Sequence, residues 1–147
     1  MRFLLVLFMV SGAFAQAPPF KPYATLADIM AGISFPNSNA IFDVTKTAPK
    51  TEAEWIVIQT DAAVLAEVGN LILTRGRLKE NGQPVPNTQD FRKHVQALVD
   101  AAKGAHKAAL AKDPEAVFVA CEPLYQACFT CHNAYRFCPT CQEATPP

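Results

Sequence analysis

The 147-residue sequence predicts an all-α fold, an up-down-up-down four-helix bundle, on three observations. Apolar residues recur at helical spacing in four segments, and no segment alternates apolar and polar residues as a half-buried strand does. The link between the third and fourth segments is only a few residues long. Helices of about 20 residues are about 30 Å long, so this short link makes those two helices antiparallel neighbours. The length suits one domain with a core of its own.

The chain opens "MRFLLVLFMVSGAFAQ": Arg2 is a small positive n-region, Phe3 to Val10 an apolar h-region, and Ala13-Phe14-Ala15 a cleavage signal. The expectation is a secretory signal peptide over residues 1–15. Its apolar run falls well short of the ~20 residues a spanning helix needs, so no membrane span is expected after cleavage. Residues 16–24 follow as a proline-rich, extended leader.

The bundle is expected over residues 25–137. The first helix starts at Thr25-Leu26-Ala27-Asp28, a capping box with Asp in place of Glu. It keeps Leu26, Ile29, Met30, Ile33, Ala40, Ile41 and Val44 on one face, with a kink expected at Pro36. The second opens at Thr51 with Glu54 completing a capping box, holds Trp55, Ile58, Ala62, Leu65 and Ile72 in phase, and ends near Thr74. Gly76, Asn81-Gly82, Pro84 and Pro86 then mark a long surface loop.

The third helix runs from about Gln89 to Lys112, with Phe91, Val95, Leu98, Ala102, Ala105 and Ala109 at helical spacing. Asp113-Pro114-Glu115 supplies a cap, an N1 proline and an acidic first turn for the fourth. On that helix Val117, Cys121, Leu124, Cys128, Cys131 and Tyr135 share a face, and Pro123 is expected to interrupt and bend it. Residues 138–147 form a tail with a second C-x-x-C.

Without Arg2 the 13 basic residues become 12 against 13 acidic ones, and no polybasic run exists, which argues against a nucleic-acid partner. Export would put the five cysteines in an oxidising compartment, and five cannot all pair within one chain. Cys128-Phe129-Thr130-Cys131-His132 is the attachment motif of c-type haem. Positions i and i+3 lie on one side of a helix, so two thiols can meet the two vinyl groups of one porphyrin. His132, one turn beyond Cys128, can then give an imidazole nitrogen to the iron. The rivals for the motif are a redox C-x-x-C beside a chance histidine, and a zinc knuckle completed by Cys138 and Cys141.

A secreted four-helix pattern with a late C-x-x-C-H resembles the class II c-type cytochromes, the cytochrome c′ and cytochrome c556 family, over essentially the whole mature chain. The first helix, "TLADIMAGISFPNSNAIFDV", resembles the c556-like branch. The resemblance implies one covalent haem c, with Cys128 and Cys131 as thioether cysteines, His132 as proximal ligand and Met30 as distal ligand. It also implies that Arg136 lies beside the proximal face.

A methionine on an apolar stripe is ordinarily a core gap-filler, and that alternative for Met30 stays open. His94 and His106 are further ligand candidates, read as boundary histidines. Trp55 reads as core, and Arg75, Arg77, Arg92, Lys93, Lys103 and Lys107 as solvated charges or a docking surface. Cys138 and Cys141 read as a local disulfide and Cys121 as a buried small hydrophobe or an intermolecular bridge.

The functional expectation is a periplasmic, non-enzymatic single-electron carrier, monomer or homodimer, matured by the cytochrome c machinery and serving redox partner proteins. Two alternatives are kept. One is a five-coordinate cytochrome c′ binding nitric oxide or carbon monoxide; the other is a thiol-disulfide protein using Cys138 and Cys141.

Overall fold

The computed structural model describes residues 21–136. The expected signal sequence, most of the leader, and the tail with Cys138 and Cys141 lie outside those residues. Within them the chain folds as a helical bundle of four helices, and the only β pairing among the described residues is an isolated bridge between Leu78 and Pro84.

The first helix is made of three pieces that join without a break: α1 (Leu26–Ile29), a π-helical turn (Met30–Ser34) and α2 (Phe35–Asp43). Its capping box is formed. The Asp28 N–H donates to the Thr25 hydroxyl at 3.2 Å and the Thr25 N–H to Asp28 Oδ2 at 2.8 Å, pairing N–H groups that no helical carbonyl reaches.

Where the sequence predicts a kink at Pro36, the helix widens one turn ahead of it. The Phe35 N–H donates to the Met30 carbonyl, five residues back. Pro36 thus enters α2 within its first turn, a position that tolerates a missing N–H. Side chains serve carbonyls around the break: Asn37 Nδ2 donates to the Ile33 oxygen at 2.7 Å and Ser38 Oγ to the Phe35 oxygen at 3.1 Å.

The second helix, α3 (Glu52–Ile72), starts at the expected Thr51–Glu54 box and buries Trp55, Ile58, Ala62, Leu65 and Ile72 as its period predicts. It is long and apolar enough to cross a membrane by length and composition. Its inner face packs against the third helix, α4 (Gln89–Leu110), while Ile56, Val57, Val64 and Leu71 are exposed. The two helices approach closely at Gly69, where a Cβ would lie 2.2 Å from Val99 Cγ2.

The loop between them turns at Gly76 and Gly82, both at positive φ. Arg77, grouped by sequence with the solvated or docking charges, is buried. Its Nε donates to the Leu71 carbonyl and its Nη1 to the Ala24 carbonyl, each at 2.5 Å. Beside it the Leu26 N–H donates to the Leu78 carbonyl at 2.8 Å, so the loop is stitched to the start of the first helix.

The fourth helix, α5 (Pro114–Tyr135), is capped by Asp113, whose Oδ1 accepts from the Ala116 N–H at 3.0 Å. It continues unbroken through Pro123, against the expected interruption. Pro123 is exposed while Val117, Leu124 and Ala127 are buried around it, so packing on one face carries the helix past the lost backbone bond.

α4 packs along both α3 and α5, whereas the first helix meets α5 over a short stretch of α2. The end of α4 reaches the start of α3 through the Lys112–Glu52 ion pair. The end of α5 reaches the start of α4 through Tyr135 and Asp90.

Candidate functional site

Cys128, Cys131 and Tyr135 recur at helical spacing along the last turns of α5, half-buried against the core. Cys128 and Cys131 are free thiols, as is Cys121 two turns earlier. Burial raises the pKa of the Cys128 thiol. It pushes Cys131 up to about 11, with added repulsion from Cys128 and Asp90. Both sulfurs are thus held as neutral thiols at neutral pH.

His132 follows, half-buried one turn beyond Cys128. Its pKa is lowered by burial first and by the Arg136 charge second, which favours the neutral imidazole a metal requires. Arg136 is the C-cap of α5, exposed, and its N–H donates to the His132 carbonyl at 2.8 Å. It stands one turn past His132.

α4 closes the site from one side. The Tyr135 ring meets Phe91 edge-on at 4.9 Å between centroids and His94 at 5.6 Å. His94 Nε2 lies 3.7 Å from Asp90 Oδ2. His106 is twelve residues further along α4, about 18 Å at helical rise, so of the two extra histidines His94 is the one at this end.

Met30 comes from the opening of the π-helical turn and packs half-buried against the core. Ser34, closing the same turn, is the one residue among those described with a buried side-chain oxygen lacking a hydrogen-bond partner. A serine in an α-helix returns its hydroxyl to a carbonyl three or four residues back. Here the Met30 carbonyl accepts from the Phe35 N–H, and the Ser34 hydroxyl bonds neither that oxygen nor any other.

Cys121 is half-buried rather than buried. Its thiol points to the Ile41 carbonyl at 3.9 Å and lines a groove of about 470 Å³ with Phe42, Phe118, Glu122 and Tyr125. Trp55 is core, as expected. Among the described residues no three His, Cys, Asp or Glu side chains converge as a zinc site would; Cys138 and Cys141, needed for that reading, lie outside them.

The residues present fit a covalent haem. Two protonated, unpaired thiols share one flank of a helix, a neutral imidazole stands one turn on, and an orphaned buried hydroxyl lies in the turn that carries the methionine. The C-x-x-C-H motif found Cys128, Cys131 and His132, helical periodicity placed Tyr135 on the same face, and the resemblance implied Met30. Asp90 and Ser34 were missed, because no local spacing links either to α5. The chain matches no family model, no curated protein and no solved structure.

Proposed function

We propose that this chain is an exported single-electron carrier of the class II c-type cytochrome kind, folded as an up-down-up-down bundle and working in the periplasm. The observation that carries the reading is the pair of free, half-buried thiols on one flank of α5 with His132 one turn beyond, at the bundle end where Met30 also arrives. The end-to-end contacts of α3 with α4 and of α4 with α5 support the alternating helix directions.

In this reading Cys128 and Cys131 hold one haem c as thioethers, with His132 and Met30 as axial ligands. Bound there, the haem would supply a reversible one-electron iron couple. The chain does the rest. Partial burial and then the Arg136 charge disfavour protonation of His132, and Tyr135 fixes the last turn of α5 against α4. No residue among these is asked to transform a substrate. Partners would be the haem-attachment machinery and donor and acceptor redox proteins.

A second reading, a five-coordinate haem protein binding nitric oxide or carbon monoxide, is favoured by the unpartnered Ser34 hydroxyl, which could bond a small ligand near Met30. One experiment separates the two: optical spectra of the haem-loaded protein, ferric and ferrous, with and without carbon monoxide, beside Met30→Ala. Electron transfer with His132/Met30 ligation predicts low-spin spectra, a far-red methionine-to-iron band and indifference to carbon monoxide, all lost in Met30→Ala. High-spin ferrous haem that takes up carbon monoxide equally in both proteins rejects that ligation and favours gas binding.

A further inference from the structure

We infer that the π-helical turn Met30–Ser34 is a one-residue register device that turns Met30 toward α5 and His132; this concerns the distal side of the site proposed above and rests on that reading only for its spectroscopic test. In an unbroken α-helix, Met30 and Phe42, twelve residues apart, would lie about 120° out of alignment, since twelve residues are about 3.3 turns. Ile29 and Ile41 would be misaligned by the same angle. Both of these isoleucines are nonetheless buried in the core.

The turn resolves the conflict. A bond from the Phe35 N–H to the Met30 carbonyl takes one extra residue into that turn, so the downstream helix behaves as if eleven residues intervened, within about 20° of three full turns. Ile29 and Ile41 then share the core face, and Met30 shares the flank of Phe42. That flank faces α5, because Phe42 lines its groove with Phe118, Cys121, Glu122 and Tyr125.

Height agrees with direction. Cys121 Sγ meets the Ile41 carbonyl, and the bundle's end contacts make the first helix and α5 run oppositely. Met30 lies eleven residues before Ile41 and His132 eleven after Cys121, each about 16 Å along its helix toward the same end. His132 is seven residues past Tyr125, close to two turns, and so lies on the groove-facing flank of α5.

The test changes chain length at one point. Gly32 is exposed, and a Cβ there would meet nothing within 4 Å, so Gly32→Ala is a neutral control for the position itself. Deleting Gly32 removes the extra residue, restores a plain α-helix and leaves Met30 on the same flank. Inserting an alanine after Gly32 adds a residue the turn cannot absorb, and rotates Met30 away.

Met30 orientation is read in the full chain without haem as its rate of sulfoxidation by hydrogen peroxide, followed by mass spectrometry. In the haem-loaded protein it is read as the far-red methionine-to-iron band. Deletion and Gly32→Ala are expected to keep Met30 as protected as the parent and to retain the band; insertion is expected to raise oxidation severalfold and abolish the band.

A deletion that exposes Met30, or an insertion that folds and leaves it protected, overturns the register assignment. If the insertion variant does not fold, the deletion decides alone. If the parent protein lacks a methionine-to-iron band, iron ligation fails while the oxidation comparison still judges the register.

Discussion

The Tyr135 hydroxyl donates to Asp90 Oδ2 at 2.7 Å, joining the last turn of α5 to the first turn of α4 one turn from Cys131. Burial first, and then this bond to a carboxylate, raise the phenol pKa, so the hydroxyl remains a donor at neutral pH. Tyr135→Phe keeps the ring contact with Phe91 and removes only the bond. A loss of about 1 kcal/mol in denaturant unfolding is expected, at the neutral hydrogen-bond scale because the pair is solvent-exposed. An unchanged midpoint would show that the link contributes nothing.

Arg77 ties the start of the first helix to the end of α3 through the Ala24 and Leu71 carbonyls. Arg77→Met should destabilise by about 2 kcal/mol, the scale for leaving buried polar groups without partners. Arg77→Lys should recover only part, because an ammonium cannot present the planar fork that reaches two separate carbonyls. Equal stability of the lysine variant and the parent would refute this account of the loop.

Gly69 permits the α3–α4 approach. Gly69→Ala places a methyl group on Val99, and overpacking of this kind costs about 1–3 kcal/mol. Adding Val99→Ala should recover much of that loss in a double-mutant cycle, whereas additive losses would mean the clash is relieved elsewhere.

Glu54 caps α3 and accepts from the Lys50 N–H at 2.6 Å and the Thr51 N–H at 2.9 Å. The first of these bonds, then the second, lower its pKa below the ordinary 4.5. A carboxyl whose folded pKa is depressed stabilises the fold above its unfolded pKa, and this is lost as pH falls through the lowered value. Glu54→Gln should therefore be less stable than the parent at pH 7, and the two stability curves should converge on acidification below the ordinary value. Parallel curves through that range would exclude a charge-dependent cap.

The parts of the fold that were legible in advance are those set within a few residues. Thr25–Asp28, Thr51–Glu54 and Asp113–Pro114 mark helix starts because a cap bonds only the next turn. Phe91, Val95, Leu98, Ala102, Ala105 and Ala109 were placed by a period any amphipathic helix must obey. The turn before Pro36 is π-helical, and Pro123 leaves α5 uninterrupted. A proline removes one backbone bond, and whether the helix kinks, widens or runs on depends on the packing of its other faces.

The site divides in the same way. By itself the sequence determined that Cys128, Cys131 and His132 lie within one turn or so of a single helix, since three- and four-residue spacings bring side chains together without help from the rest of the chain. Tertiary structure alone decided what surrounds them. Asp90 reaches Tyr135 from 45 residues away, and Arg77 is buried by a helix start 53 residues earlier. Such relationships depend on how whole helices pack, and helix packing sums many weak contacts between distant segments, which no local pattern encodes.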